Sequence, residues 1–95
     1  MSSVWIDPGD PIFAALGSAL GIGTDSAIGR MTRLFLVIGL RRTHHMTDAG
    51  IDEVCGEGTA LAMVSCGLGY ARDDGKIWVS TNHGVGQMAW RPEMG

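Results

Sequence analysis

The sequence has few cysteines, no long apolar run and no recognisable secretory signal. Its two cysteines, Cys55 and Cys66, are too few for the disulfide framework of a small secreted domain. The N-terminal stretch lacks the basic region of a secretory signal. The longest apolar run, residues 34–40, is far shorter than the roughly 20 residues that span a bilayer. We therefore expect a cytoplasmic protein with reduced thiols and no membrane partner.

Side chains that could carry chemistry follow no catalytic or metal-binding pattern. Three histidines and two cysteines lack the short spacings of zinc sites: His44, His45, His83, Cys55 and Cys66. Both cysteines fall at apolar positions of predicted helices, where a thiol packs as a small hydrophobic group. Asp52 and Glu53, next to Cys55, would raise its pKa and disfavour a nucleophilic thiolate. We predict no enzyme activity, no metal, no cofactor and no small-molecule substrate.

Charge is low overall and unevenly distributed. The 95-residue chain has 18% charged residues and a net charge of −3, which argues against a strong nucleic-acid binder. Within residues 30–45, however, the charged and titratable side chains are all basic: Arg30, Arg33, Arg41, Arg42, His44 and His45. Within residues 48–57 they are acids beside one thiol: Asp48, Asp52, Glu53 and Glu57. One basic segment therefore precedes one acidic segment directly.

Capping residues and apolar spacing predict two amphipathic helices in the first half of the chain. Asp10 followed by Pro11 is typical of a helix start, and Gly21 of a helix end. Thr24 is the predicted cap of a second helix, which ends near Arg42. Because its second half is apolar on nearly every side, this helix should be the central element of the core.

Two short helices and a hairpin are predicted next. The third helix runs from Thr47 to Gly56, and the fourth from Thr59 to about Gly67. An Asp-Gly pair between two β-prone runs then predicts a hairpin with a type I′ turn. The predicted fold class is mostly α with a small β-hairpin, an α+β winged helix-turn-helix.

The residues within these elements also resemble a known family. The resembling segments, in chain order, are Trp5-Ile6-Asp7, Asp10-Pro11-Ile12, Leu20-Gly21-Ile22, Ala27-Ile28-Gly29-Arg30-Met31, Leu34-Phe35, Thr47-Asp48-Ala49-Gly50-Ile51, Cys66-Gly67-Leu68 and Asp74-Gly75-Lys76-Ile77-Trp78-Val79. They are similar to the winged-helix domain near the N-terminus of many phage, prophage and plasmid proteins linked to replication. The resemblance covers about residues 4–83 and implies association with DNA or with replication machinery. We predict a winged-helix domain over residues 1–83 and a C-terminal tail over residues 84–95.

The first functional hypothesis is a DNA-binding protein of a mobile element, acting in replication or transcription control. A homodimer is its expected binding unit. Its candidate contacts lie in the basic segment and on the predicted hairpin: Arg30, Arg33, Arg41, Arg42, His44, Arg72 and Lys76. A solvated helix face with a favourable C-terminal end accounts for the same arginines, so both interpretations stay open. The predicted fourth helix, residues 59–67, is the one that would read DNA in a helix-turn-helix. It contains none of the charged side chains that read base edges.

The second hypothesis is a protein-binding winged helix, either an adaptor or a small inhibitor of a host complex such as a defence complex. The partner is either another protein or a second copy of this chain, and the candidate interface consists of Leu61, Met63, Leu68, Trp78 and Trp90. Trp78 alternates with Ile77 and Val79, so it is exposed if those two side chains face the core. The alternative is that Trp78 packs against Trp5 or the tail. Sensitivity to salt separates the two functional hypotheses, because phosphate contacts release counterions and apolar contacts do not.

Overall fold

Helices make up most of the secondary structure. The computed structural model describes residues 4–80 and 84–86, and in these residues four helices and five short strands follow one another. In chain order they are β1 (Val4–Ile6), α1 (Pro11–Leu20), α2 (Thr24–Arg41), β2 (His45–Thr47), α3 (Asp48–Cys55), α4 (Thr59–Cys66), β3 (Gly69–Ala71), β4 (Lys76–Val79) and β5 (Gly84–Gly86).

Helix α1 begins and ends where its capping residues predict. Asp10 is the N-cap, and its Oδ1 accepts a hydrogen bond from the N–H of Ile12 at 3.0 Å, with Pro11 in the first turn. Gly21 adopts the left-handed conformation (φ 69°) that commonly closes a helix. Both predicted ends are confirmed.

Helix α2 is the central element of the core, as its apolar second half predicts. Its buried stripe has helical spacing and consists of Ala27, Met31, Leu34, Phe35 and Ile38. The helix packs against α1, α3, β1 and β5. The predicted cap is wrong by one residue, because Gly23 is the N-cap and Thr24 is already helical. Arg42 closes the helix in a left-handed conformation (φ 52°).

Helices α3 and α4 correspond to the two predicted short helices. Thr47 caps α3, because its Oγ1 accepts a hydrogen bond from the N–H of Gly50 at 3.0 Å. Gly58 and Gly67, with φ of 85° and 92°, flank α4. Helix α4 packs against α1, α3 and β3, which leaves one side of the helix open to solvent.

Strand β2, which the sequence does not predict, joins the hairpin to form an antiparallel sheet with the strand order β2–β4–β3. Met46 on β2 pairs with Ile77 on β4, and Gly69 on β3 pairs with Val79. The side chains of Met46, Ile77 and Val79 are buried and form the inward face of the sheet. Glycine is required at position 69, because an added Cβ would come within 2.8 Å of Cγ2 of Ile77.

The connection between β3 and β4 differs from the predicted type I′ turn. Only Gly75 in this loop has a positive φ (80°), whereas a type I′ turn needs two such residues. The N–H of Gly75 donates to the carbonyl of Arg72 at 3.3 Å, and the N–H of Arg72 donates to the carbonyl of Lys76 at 2.9 Å. The hairpin therefore uses a three-residue loop, residues 73–75, that ends in a left-handed glycine.

A second sheet pairs the two ends of the described chain. Strand β1 pairs antiparallel with β5, so that Val4 lies opposite Gly86. Strand β5 lies in the segment assigned to the tail, where the sequence indicates no periodic element. Both strands contact α2, so residues 84–86 are part of the packed structure.

The described chain is an α+β structure, which confirms the predicted fold class at this level. Its core is one cluster that draws side chains from all four helices and from the inward face of the three-stranded sheet. None of the helices in the described residues is long and apolar enough by itself to cross a membrane. By length and composition alone, α1 and α2 taken together would be long and apolar enough, as a pair bent by 100°.

Candidate interaction surfaces

Arg30 and Thr59 hold the turn between α3 and α4. Arg30 Nη1 donates to Thr59 Oγ1 at 2.9 Å, and this hydroxyl donates in turn to the carbonyl of Gly56 at 2.7 Å. Thr59 is fully buried. The guanidinium lies so close to Gly56 that an added Cβ there would be 3.0 Å from Nη1. Arg30, predicted to contact nucleic acid, is half-buried and braces this turn.

Asp52 caps the N-terminus of α4 from the preceding helix. Its Oδ1 accepts a hydrogen bond from the N–H of Ala60 at 2.9 Å, and its Oδ2 accepts one from the N–H of Gly58 at 3.2 Å. The carboxylate thereby satisfies N–H groups at the start of the helix and opposes its positive dipole end. Asp52 therefore contributes to the fold, whereas Glu53 and Glu57 are exposed.

Helix α4 exposes an uncharged surface, the α4 face, which consists of Leu61, Val64 and Ser65. The exposed fractions are 78% for Leu61 and 36% for Val64. Leu61 thus lies at the surface, as a predicted interface residue must. Met63 and Leu68 were predicted for the same interface, but both are fully buried and this prediction is wrong. The reason is that α4 and the residues after it are apolar on all sides, and these two side chains pack into the core.

An open groove of about 410 Å³ lies between the end of α1 and the α4 face. It is lined by Ala19, Leu20, Glu57, Gly58, Leu61, Ala62 and Ser65. Apart from Glu57 and Ser65, the residues of the lining are apolar, and none of them is basic. The groove therefore suits an apolar side chain that is accompanied by a positively charged group.

The segment that contains α3, the turn and α4 carries only negative charge. Residues 48–66 include Asp48, Asp52, Glu53 and Glu57 and have neither Lys nor Arg. The guanidinium of Arg30 reaches this segment from α2, but it donates to Thr59. Helices that bind duplex DNA present Arg, Lys, Asn or Gln to bases and phosphates. The α4 face has none of these residues, and its acidic surroundings repel phosphate.

Three aromatic rings lie across the outward side of the three-stranded sheet and form a second surface, the sheet face. His45 on β2 pairs with Trp78 on β4, which pairs with Tyr70 on β3. Side chains of directly paired residues lie on the same side of a sheet. Tyr70 is 54% exposed and Trp78 is half-buried. Tyr70 is missing from the predicted site residues, and the only sequence signal for it is its place opposite Trp78 in the hairpin.

Trp78 stacks on His44, an arrangement that the sequence does not predict. The two ring centroids are 4.1 Å apart with planes 9° from parallel, and the ring of His45 meets Trp78 edge-on at 4.9 Å. His44 is buried, and its Nδ1 donates to the carbonyl of Val79 at 3.0 Å. The prediction that His44 contacts nucleic acid is therefore wrong, because its ring lies inside and supports Trp78. Ile77 and Val79 face the core, so Trp78 lies on the outward side of the sheet, where it is half-buried.

Arg72 and Lys76 are exposed on the hairpin, as predicted. Arg72 Nη1 donates to His45 Nε2 at 3.0 Å, and its Nε lies 3.5 Å from Asp74 Oδ2. Burial and then the charge of Arg72 lower the pKa of His45, which favours the neutral ring that accepts this hydrogen bond. A backbone hydrogen bond from Lys76 lowers the pKa of Asp74. The structure thus brings Arg72 next to the sheet face.

Arg33, Arg41 and Arg42 are exposed on α2 and at its C-terminal end. Arg41 lies in the last turn of the helix, where a positive charge opposes the helix dipole. In the described part of the chain none of the three forms an ion pair. Trp90, predicted for the protein interface, lies outside the described residues.

Cys55 is a buried thiol that donates to the carbonyl of Arg30 at 3.2 Å. Burial raises the pKa of Cys55 to about 11, so the thiol is protonated at neutral pH. The negative charge of Asp52 also raises the pKa of Cys55, as the sequence predicts, but its effect is smaller than the effect of burial. Among the described residues, no three His, Cys, Asp or Glu side chains lie close enough to hold a metal ion. His83 lies outside those residues.

No protein-family model, no curated protein and no solved structure matches the chain. The resemblance noted in the sequence therefore stays a prediction. The α4 face and the sheet face are the features of the molecule from which a function can be inferred.

Proposed function

We propose that this chain is a non-catalytic winged-helix domain that binds a protein partner through the α4 face. The order of elements supports the fold, because α2, β2, α3, α4, β3 and β4 follow one another and β4 lies between β2 and β3. In a winged helix of this order, α4 has the recognition position and the β3–β4 hairpin is the wing. The sequence resemblance to winged-helix domains of replication-associated proteins supports the same assignment. A cytoplasmic location is part of the proposal.

The exposure of Leu61 carries the proposal. This side chain is 78% exposed in the middle of the open side of α4, and Val64 and Ser65 extend the surface without adding charge. Burying one leucine side chain against a partner contributes about 1.5–3 kcal/mol. Neither water nor the phosphate backbone of a duplex buries this side chain in apolar surroundings. An apolar protein surface does, and the complex is stabilised by that free energy.

The acids around the α4 face define the chemistry of the partner. Glu57 lines the groove, and Glu53 is exposed on α3. A protein surface that inserts an apolar side chain beside Leu61 and places a Lys or Arg near Glu57 is complementary to both features. Two copies joined through their α4 faces would bring like charges together. We therefore propose a partner other than a second copy, in place of the predicted homodimer.

Duplex DNA is the second candidate partner, because the hairpin and α2 expose several basic side chains. These are Arg33, Arg41, Arg42, Arg72 and Lys76. The acids Asp48, Glu53 and Glu57 oppose this function, since they are exposed on the helix-turn-helix segment that a winged helix of this type presents to DNA. The geometry therefore supports a protein partner better than duplex DNA.

The test compares capture of proteins from cells of the source organism by the full chain and by two matched variants. Leu61→Glu adds a charge to the α4 face, and Leu40→Glu adds the same charge to another leucine that is 57% exposed, on α2. Any protein captured by the full chain and by Leu40→Glu but lost with Leu61→Glu is then purified and titrated. We expect Leu61→Glu to weaken its binding at least about tenfold.

The titration at low and moderate salt completes the test. An interface formed mainly by apolar contacts changes its affinity little with salt, whereas contacts to phosphate weaken steeply. If no captured protein depends on Leu61, or if the dependent complex requires nucleic acid, the proposed function is wrong.

A further inference from the structure

The sheet face carries a different set of side chains from the α4 face and fits a different partner. We propose that the sheet face binds single-stranded nucleic acid, with bases stacked on Tyr70 and Trp78 and phosphates bound by Arg72 and Lys76. This inference goes beyond the proposed function, which concerns the α4 face alone.

The rings of the sheet face are held in place before any ligand arrives. The indole of Trp78 is parallel to His44, with ring centroids 4.1 Å apart, and His44 is tied to the backbone of Val79 by a 3.0 Å hydrogen bond. His45 fixes the indole from its edge at 4.9 Å. Tyr70, on the neighbouring strand, is 54% exposed. A rigid ring next to an exposed ring is the arrangement on which successive bases stack in proteins that bind single strands.

Two basic side chains near these rings, Arg72 and Lys76, are the groups that would bind phosphates. Strands β2, β3 and β4 contain Lys76 and no carboxylate. Arg72 is held beside the ring row by its 3.0 Å contact with His45 Nε2. The acids Asp73 and Asp74 lie in the loop beyond the strands. The carboxylate of Asp74 accepts a hydrogen bond from the N–H of Lys76 at 3.1 Å and lies 3.5 Å from Arg72 Nε, so Asp74 and Arg72 partly compensate each other's charge.

Single strands fit this surface better than duplexes do. In a duplex the base faces are stacked on one another and are not accessible to protein rings, whereas a single strand offers every base face. The site would accept different bases, because every base has a face that can stack. Trp5 is also an exposed aromatic ring, at 53%, but it lies on β1 of the other sheet and serves as the matched control.

The test is fluorescence anisotropy of a labelled oligothymidylate of about 12 nucleotides, titrated with the full chain at about 50 mM salt. We expect saturable binding that Tyr70→Ala weakens at least about fivefold, since an aromatic ring contributes through stacking. Tyr70→Phe should keep the affinity, because it keeps the ring, and Trp5→Ala should not change it. A plot of log affinity against log salt has a negative slope, and Lys76→Gln should make this slope less steep by about 0.7.

Three results would overturn the proposal. The first is that the full chain fails to bind the oligonucleotide at low salt. The second is that Tyr70→Ala and Trp5→Ala bind it equally well. The third is that a duplex of the same length binds as tightly as the single strand. Circular dichroism of each variant checks that the fold is retained. If Tyr70→Ala does not fold, Lys76→Gln still decides whether phosphates are bound at this surface.

Discussion

The α4 face and the sheet face belong to the same small domain but have different chemistry. The α4 face presents the aliphatic side chains Leu61 and Val64, with the exposed acids Glu53 and Glu57 in the adjoining segment. The sheet face presents aromatic rings, and the hairpin beside it carries Arg72 and Lys76 together with two acids. The net charge of −3 describes neither surface. The partner of a domain of this size therefore has to be inferred from the residues of each surface separately, and not from the net charge.

The two regions are also held by different interactions. The α4 side depends on side-chain hydrogen bonds that cross between helices, in which Arg30 donates to Thr59 and Asp52 accepts from the N–H of Ala60. The sheet side depends on ring stacking between His44 and Trp78. Because the two sets share no residue, we expect a change in one region to leave the other region intact.

The largest expected effect separates the buried side of α4 from its exposed side. Met63→Ala removes a fully buried side chain and should lower the free energy of unfolding by about 3 kcal/mol. Leu61→Ala, two positions earlier, should change it by less than about 0.5 kcal/mol, since Leu61 is 78% exposed. Urea denaturation of both variants measures the difference. Equal losses of stability would mean that the assignment of the two sides of α4 is wrong.

The next effect concerns the cap that crosses from α3 to α4. Asp52→Ala leaves the N–H groups of Gly58 and Ala60 without their acceptor and should lower the free energy of unfolding by about 2 kcal/mol. Glu53→Ala is the control, because its exposed neighbouring carboxylate caps nothing and should change stability by less than about 0.5 kcal/mol. Thermal unfolding followed by circular dichroism compares the two. A harmless Asp52→Ala would exclude this cap.

A smaller effect, in the sheet region, depends on pH. The pKa of His45 in the folded chain lies below the ordinary histidine value of 6.5, through burial first and the charge of Arg72 second. The folded chain therefore binds fewer protons than the unfolded chain in the interval below 6.5. The contribution of His45 to stability is fully present above that interval and is lost as the pH falls through it.

The variant His45→Gln isolates this contribution. Urea denaturation at about pH 8 and about pH 5 should show a larger loss of stability on acidification for the natural chain than for His45→Gln. The same loss in both proteins would show that His45 does not titrate as described.

The smallest expected effects test whether the two surfaces are independent. Leu61→Glu should leave the affinity for single-stranded oligonucleotide unchanged within about twofold, and Tyr70→Ala should leave capture of the protein partner unchanged. Anisotropy titration and quantitative capture measure the two. An effect of either variant on both partners would mean that the surfaces are coupled or are parts of one site.

Local signals explain which parts of the fold the sequence predicts. Helix α1 begins at Asp10 and ends at Gly21 because caps act on the nearest backbone groups. Strand β2 has three residues and no apolar alternation, and it exists only because it pairs with the distant strand β4. The predicted type I′ turn is wrong, because Asp-Gly also suits a three-residue loop, and the two loops differ in the backbone conformation at Asp74.

The candidate surfaces are harder to predict, because they depend on which side of each element is buried. Helix α4 is apolar on all sides, so the sequence cannot separate Leu61, at the surface, from Met63, in the core. His44 belongs to a basic run, and only its contacts with Trp78 and Val79 show that it is interior. Such contacts join residues more than thirty positions apart along the chain, as the separation of 35 between His44 and Val79 illustrates.

The most direct test of the central claim is the affinity of the full chain for duplex DNA. A labelled generic duplex is titrated at about 50 mM salt and again at about 200 mM salt, with Arg41→Glu/Arg42→Glu in parallel. Since α4 is uncharged and its neighbours are acidic, we predict no saturable binding up to about 100 µM protein. Micromolar binding that weakens steeply with salt and is lost in the double variant would contradict this account. It would make duplex DNA, and not a protein, the partner of this domain.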